Sequence, residues 1–236
     1  MNIYMAASSS KGNSYMLVCD NSSLMLEAGI AVAKAREKLR LPLSTVAALL
    51  ITHEHGDHAG FAKQYAAAGI PIWASKGTCA AIQCGNPLNG NSVKNIKGWK
   101  IRPFDVKHDA VQPLGYLINA PDGTRVVFAT DTYMIPYKFP RVNYWMVECN
   151  YDDETLDAAI RAKDVHPVQA KRVVESHMSL AHLNEFFSAQ DLSVTKGIYL
   201  LHGSSRNLDT ERAIKEIRSI TGKPVYCLQA YERVEG

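Results

Sequence analysis

The segment Thr52-His53-Glu54-His55-Gly56-Asp57-His58 places three histidines and an aspartate within six positions, 53–58. Such a cluster is costly to fold on its own. Imidazoles this close repel when protonated, and a carboxylate must lose water if buried. A divalent cation removes both difficulties, because neutral imidazole and carboxylate are its natural ligands. The spacing adds geometry. His53 and His55, two residues apart in an extended chain, project to one side. Asp57 and His58 come after Gly56, where the chain can bend and offer them at a second position. One short loop can therefore serve two adjacent metals. The rival metal pattern HExxH fails here, because Asp57 stands where its second histidine is required.

The loop needs a rigid base. Val46 to Ile51 is a continuous apolar run, as expected for a strand covered on both faces. Upstream, Tyr15 to Cys19 and Leu24 to Glu27 read as strands joined at Asp20-Asn21-Ser22. Residues 30–39 and 58–68 read as helices, the second stopping at Gly69, and Ile70 to Ala74 as a short strand. Further strands are expected at 99–106, 114–119, 125–130, 144–149, 197–202 and 224–229, and helices at 153–163, 180–188 and 208–219. Interleaved strands and helices, with strands in the majority, favour a layered αββα sandwich over an all-β barrel.

Composition bounds the class. The chain has 236 residues, 47 % of them hydrophobic and 21 % charged, which excludes collagen-like, coiled-coil and disordered classes. At roughly 150 residues per domain this favours one large domain, 1–236. A net charge of +3 does not by itself advertise nucleic-acid binding. Five cysteines without a CxxC pair do not resemble a secreted disulfide framework. The first residues lack the pattern of a signal peptide, and the longest apolar run is far short of the roughly 20 residues of a membrane span. The expectation is a cytoplasmic protein without a membrane segment, its cysteines serving as small apolar residues.

HxHxDH after an apolar strand resembles the metallo-β-lactamase superfamily. The resemblance implies a four-layer αββα sandwich with two divalent ions. It also implies where the other ligands lie. His108 in Phe104-Asp105-Val106-Lys107-His108, Asp131 at the end of Val126-Val127-Phe128-Ala129-Thr130-Asp131, and His202 at the end of Ile198-Tyr199-Leu200-Leu201-His202 match that order. By resemblance, His53, His55 and His108 hold one metal, Asp57, His58 and His202 hold the other, and Asp131 bridges them. The ions are expected to be zinc, and the all-N/O ligand set also admits manganese or iron.

Further landmarks are similar to the WalJ (YycJ)-like exonuclease branch. Ala6 to Ser14 resembles its SGSSGN-type opening, Glu148 to Asp152 its E-x-N-x-D segment, Glu175 to Ser179 its HLS segment, and His202 to Asn207 its HLSxxNN ending. Glu27 stands where the branch carries an aspartate that supports the ligands from behind. The resemblance implies a phosphodiesterase, specifically a DNA or RNA exonuclease, acting through a metal-bridging hydroxide on nucleic acid or a small phosphodiester. Asp57 would orient the hydroxide and His177 would contact phosphate or protonate the leaving group. The alternative is a hydrolase of a small ester, lactone or thioester on the same two metals. A third reading, a binding module that has kept the fold, is disfavoured by seven retained ligand candidates. Asn13, Ser14, Asn150 and Asn207 are candidates for phosphate contact, with turn or capping roles as the equal alternative. His166 and His182 read as structural. Tyr133, Tyr137 and Tyr144 could stack on bases, with burial in the core as the favoured alternative.

Overall fold

The computed structural model describes residues 1–90, 92–204, 206–227 and 233–234. Contacts divide the chain into two compact units. Unit 1 comprises Met1–Asp105, Ala110–Val126 and Leu228–Gly236; unit 2 comprises Val106–Asp109 and Val127–Cys227. Strands and helices alternate in both, giving the mixed α/β class expected, with the described strands in two sheets of seven.

Unit 1 carries β1 (Asn2–Ala7), β2 (Ser14–Cys19), β3 (Ser22–Leu26), α1 (Val32–Leu39), β4 (Val46–Leu50), α2 (Gly56–Ala59), α3 (Ala62–Ala67), β5 (Ile72–Ala74), α4 (Lys76–Ile82), β6 (Asn86–Pro87), β7 (Lys94–Ile96), β8 (Trp99–Asp105) and β9 (Leu114–Asn119). β1, β2 and β3 pair antiparallel, whereas β3, β4, β5 and β6 run parallel. All five residues of β4, VAALL, are buried. That is the physical meaning of its unbroken apolar run: a central parallel strand is covered on both faces. β7, β8 and β9 form an antiparallel meander.

Next come β10 (Arg125–Ala129), β11 (Tyr144–Glu148), α5 (Asp153–Arg161), α6 (Pro167–Ser176), α7 (Leu180–Ser188), β12 (Gly197–Leu201), α8 (Thr210–Thr221) and β13 (Val225–Cys227), most of them in unit 2, and then β14 (Arg233–Val234). β14 pairs antiparallel with β1, and β11, β12 and β13 run parallel. The helices start on side-chain caps. Asp152, His166, Ser179 and Asp209 accept the backbone N–H of Thr155, Val168, His182 and Arg212. Each satisfies a donor that the first helical turn leaves open. Trp145 on β11 packs edge-on against Phe186 and Phe187 of α7, with ring centroids 5.6 and 5.7 Å away, anchoring that helix over the sheet.

Two local expectations change. The helix expected over 58–68 is two short helices, α2 and α3. Phe61 turns its N–H to Ala28 O at 3.0 Å and interrupts the helical ladder. The stretch 167–176, for which the sequence suggested no element, is helix α6; Pro167 suits its first position, where proline gives up a donor the helix does not use. The expected strand 224–229 is seen as Val225–Cys227; positions 228–229 lie outside the described residues. No helix among the described residues is long and apolar enough to cross a membrane.

Candidate metal centre

In unit 1 the chain leaves the carboxyl end of β4 directly into His53, His55, Asp57 and His58. Ligand sites in parallel sheets favour this end of the strands. The structure brings the three rings together: His53 lies 4.6 Å from His55 and 4.2 Å from His58, centroid to centroid. His53 and His58 are buried, while Asp57 retains 21 % side-chain exposure. His53 Nδ1 pairs with Thr52 Oγ1 at 2.9 Å, which fixes the ring and turns Nε2 away from that partner.

Behind these rings lies Glu27, fully buried. Its Oε2 accepts the Thr52 N–H at 3.3 Å and its Oε1 faces His58 Nδ1 at 3.6 Å. Burial pushes its carboxyl up, and His58 and Thr52 pull against that rise. Glu27 also adopts a left-handed backbone, φ 65°, a conformation a non-glycine residue holds at a cost on the order of 1 kcal/mol. The longer Glu therefore fills the supporting position. Glu27→Gln keeps the shape but weakens the hold on His58, so metal affinity should fall about 10- to 100-fold. Competition with a chromogenic chelator checks this, and an unchanged affinity would exclude the supporting role.

The opening loop locks Asp57. Asn13 is fully buried; its backbone N–H donates to Asp57 O at 2.8 Å, and its amide donates to the same oxygen at 3.3 Å and to Asp57 Oδ2 at 3.5 Å. Gly29 donates to Asn13 O at 2.9 Å. A Cβ on Gly29 would overlap Asp57 O and Asn13 N, so only glycine lets these segments approach. The buried Asn13 thus does turn and positioning work.

In unit 2 the donors again sit at strand ends. Asp131 follows β10, Glu148 ends β11, and His202 follows β12, the parallel neighbour of β11. Asp131 and His202 adopt left-handed φ of 50° and 52°, which turns each side chain at the point where its strand stops. One ligand atom from each of Asp131, Glu148, His177 and His202 lies within 4.8 Å of the others, a grouping able to hold a metal ion. His108 Nδ1 pairs with Ser176 O at 3.1 Å, and its Nε2 faces Asp109 Oδ1 at 3.2 Å and Asp131 Oδ2 at 3.7 Å. Burial holds the His108 pKa down, and the Asp131 charge pulls against that fall.

Glu148 went unassigned in the sequence reading. It is fully buried, and its Oε2 accepts the N–H groups of Thr132 (3.0 Å) and Met178 (3.2 Å). Its Oε1 meets His177 Nδ1 at 2.6 Å and accepts from the Asn150 amide at 3.3 Å. A contact this short is a charge-assisted bond. Burial alone would depress the His177 pKa, but Glu148 and then Asp131 outweigh it and raise it. Burial also opposes the Glu148 charge, yet His177 and His202 hold its carboxyl below the usual range. The sequence signal was a carboxylate closing the apolar run Tyr144 to Val147. Asn150 also donates to His202 O at 3.1 Å, so it orients that strand end. His166 caps α6 and Tyr144 is buried in the core, both as structural residues.

The donor chemistry of both clusters fits divalent cations: imidazoles and carboxylates are gathered at buried strand ends, with their far atoms held by hydroxyl, carbonyl or carboxylate groups. Among the described residues no cysteine is in a disulfide, and none belongs to these clusters. Comparison with known proteins agrees. The chain is 27 % identical over 221 residues to the Exodeoxyribonuclease YycJ of Bacillus anthracis, covering 74 % of this chain and 81 % of that protein. It is 28 % identical over 243 residues to the Exodeoxyribonuclease WalJ of Streptococcus pneumoniae, covering 91 % and 84 %. Its fold matches that of the metallo-beta-lactamase fold protein YhfI from Bacillus subtilis, with TM-score 0.74, 13 % identity and 99 % of each chain covered. A family model described as Beta-lactamase superfamily domain matches residues 23–202, and the chain belongs to that superfamily.

Proposed function

We propose that this protein is a dinuclear-metal phosphodiesterase, with a DNA strand as substrate and exonuclease character. The observation that carries the reading is the Glu148–His177 pair, 2.6 Å apart within reach of Asp131. It adds to a metal-type donor set an imidazole whose protonated form the Glu148 carboxylate favours, and a departing alkoxide oxygen needs a proton. Relatives named exodeoxyribonucleases support DNA as the substrate class.

The proposed ligands are His53, His55 and His108 for one ion, Asp57, His58 and His202 for the other, and Asp131 for both, in one functional domain. Divalent ions, zinc first among them, supply positive charge against the phosphodiester and acidity to the attacking water. The chain's own groups do the rest. Asp57, held by Asn13, accepts a hydrogen from the water and orients it. In this role the His177 ring carries a proton on each nitrogen: Nδ1–H donates to Glu148, and the opposite N–H gives its proton to the leaving oxygen, which leaves the ring neutral. Cysteines outside any disulfide suit a cytoplasmic setting.

A paired assay tests the reaction class. Metal-loaded protein is given a chromogenic phosphodiester and a panel of lactones. Turnover of the phosphodiester, lost on chelation, is expected. Lactone opening without phosphodiester turnover would overturn the proposal in favour of carboxyl-ester chemistry.

A further inference from the structure

Within unit 2 the loop that follows Asp131 builds a second feature. Tyr133, Met134, Tyr137 and Lys138 line a cavity of about 330 Å³ together with His182 and Phe186 of α7. That volume lies at the small end of ligand-binding pockets. Met134 and Tyr137 each remain 37 % exposed, while the neighbouring Ile135 and Phe139 are buried. The loop therefore anchors Phe139 in the core and turns Met134, Ile135 and Tyr137 to the cavity.

The loop is held in this shape. Gln190 Nε2 donates to Tyr137 O at 3.0 Å, and Gln190 Oε1 accepts the Phe139 N–H at 3.0 Å. Thr132 Oγ1 donates to Met134 O at 2.9 Å, and the Phe139 ring packs edge-on to Trp145. The Tyr133 ring meets His182 edge-on at 4.6 Å. His182 Nδ1 is shielded from solvent and has no hydrogen-bond partner among the described residues. Buried polar atoms are rarely left so.

Aromatic faces, a nearby ammonium and a waiting ring nitrogen together match one ligand chemistry: a flat heteroaromatic base attached to a phosphate chain. Stacking serves the base, Lys138 the phosphate, and His182 the base edge. Tyr133 follows Asp131 by two residues, at most about 7 Å of chain. A strand with its phosphate at Asp131 thus brings an adjoining base to this groove.

We propose that the groove of Tyr133, Tyr137 and His182 is a nucleobase subsite, which stacks the base next to the scissile phosphodiester and gives the enzyme its grip on single strands. It rests on the phosphodiesterase reading above. The test is binding, separate from cleavage. The full chain, supplied with manganese, is titrated into a fluorescein-labelled hexathymidylate with phosphorothioate linkages, and into the same strand with abasic residues; anisotropy reads the affinity. The thymine-bearing strand should bind roughly 5- to 150-fold more tightly. Tyr137→Ala should lose that preference, Tyr137→Trp should keep it, and melting curves confirm that both fold. Equal affinity of the wild type for the two strands, or a preference that survives Tyr137→Ala, would overturn the subsite. Cleavage of an unmodified strand, followed in parallel, decides the phosphodiesterase reading on its own. Base-dependent binding without cleavage would remove that reading and leave the subsite standing.

Discussion

Asp57→Ala should lower turnover at least about 1,000-fold, roughly 4 kcal/mol of activation barrier, while the protein still folds. The side chain is 21 % exposed, so its removal opens no buried cavity. Its backbone carbonyl, which accepts the two shorter bonds from Asn13, is untouched by the substitution; only the 3.5 Å bond to Oδ2 is lost. What is lost is a proposed metal ligand and the acceptor that orients the attacking water. Metal content should drop with activity, and melting in the presence of chelator should change little. His55→Ala should behave alike, since its ring belongs to the same cluster. Purified Asp57→Ala protein that retains activity would refute the ligand assignment.

His177→Ala should lower kcat about 100- to 10,000-fold, the usual range for a proton donor in the transition state, with metal content unchanged. The leaving group separates this role from a structural one. A nitrophenolate departs without help, so a chromogenic phosphodiester should lose far less than DNA, whose alkoxide oxygen needs the proton. Glu148→Gln keeps an oxygen for Thr132 and Met178 but removes the charge facing His177. Its rate should show the same dependence on leaving group. If His177→Ala protein instead loses metal in proportion to activity, His177 is a ligand.

The chemistry of these clusters was largely legible in the sequence, for a physical reason. Metal donors must stand where a strand stops, and a buried strand writes itself as an apolar run. His53, Asp131 and His202 each follow such a run, so run and donor were read together. Glu148 stood out as the first residue of the E-x-N-x-D segment, but its role was not legible, because a glutamate closing an apolar strand from inside looks like an ordinary strand end. Only its hydrogen bonds to two backbone N–H groups and to His177 reveal it as a hub. Asn13 was ambiguous for a similar reason: an asparagine in a small-residue loop suits phosphate or a turn equally, and its complete burial decides for the turn. Helix boundaries suffered where one tertiary bond overrode local preference, as when Phe61 N–H turned to Ala28 O. The three tyrosines could not be separated by sequence, since the same side chain serves core and groove. The structure buries Tyr144 and leaves Tyr137 half out.

The central claim is that this fold, with its metal-type donors and its Glu148–His177 pair, cleaves phosphodiesters in nucleic acid. It is tested most directly by incubating metal-loaded protein with 5′-labelled single-stranded DNA while the metal content of the same sample is measured. The account predicts release of nucleotides with about two ions bound per chain, abolished by chelator and restored by zinc, manganese or iron. An intact strand in protein carrying its full metal complement would contradict it.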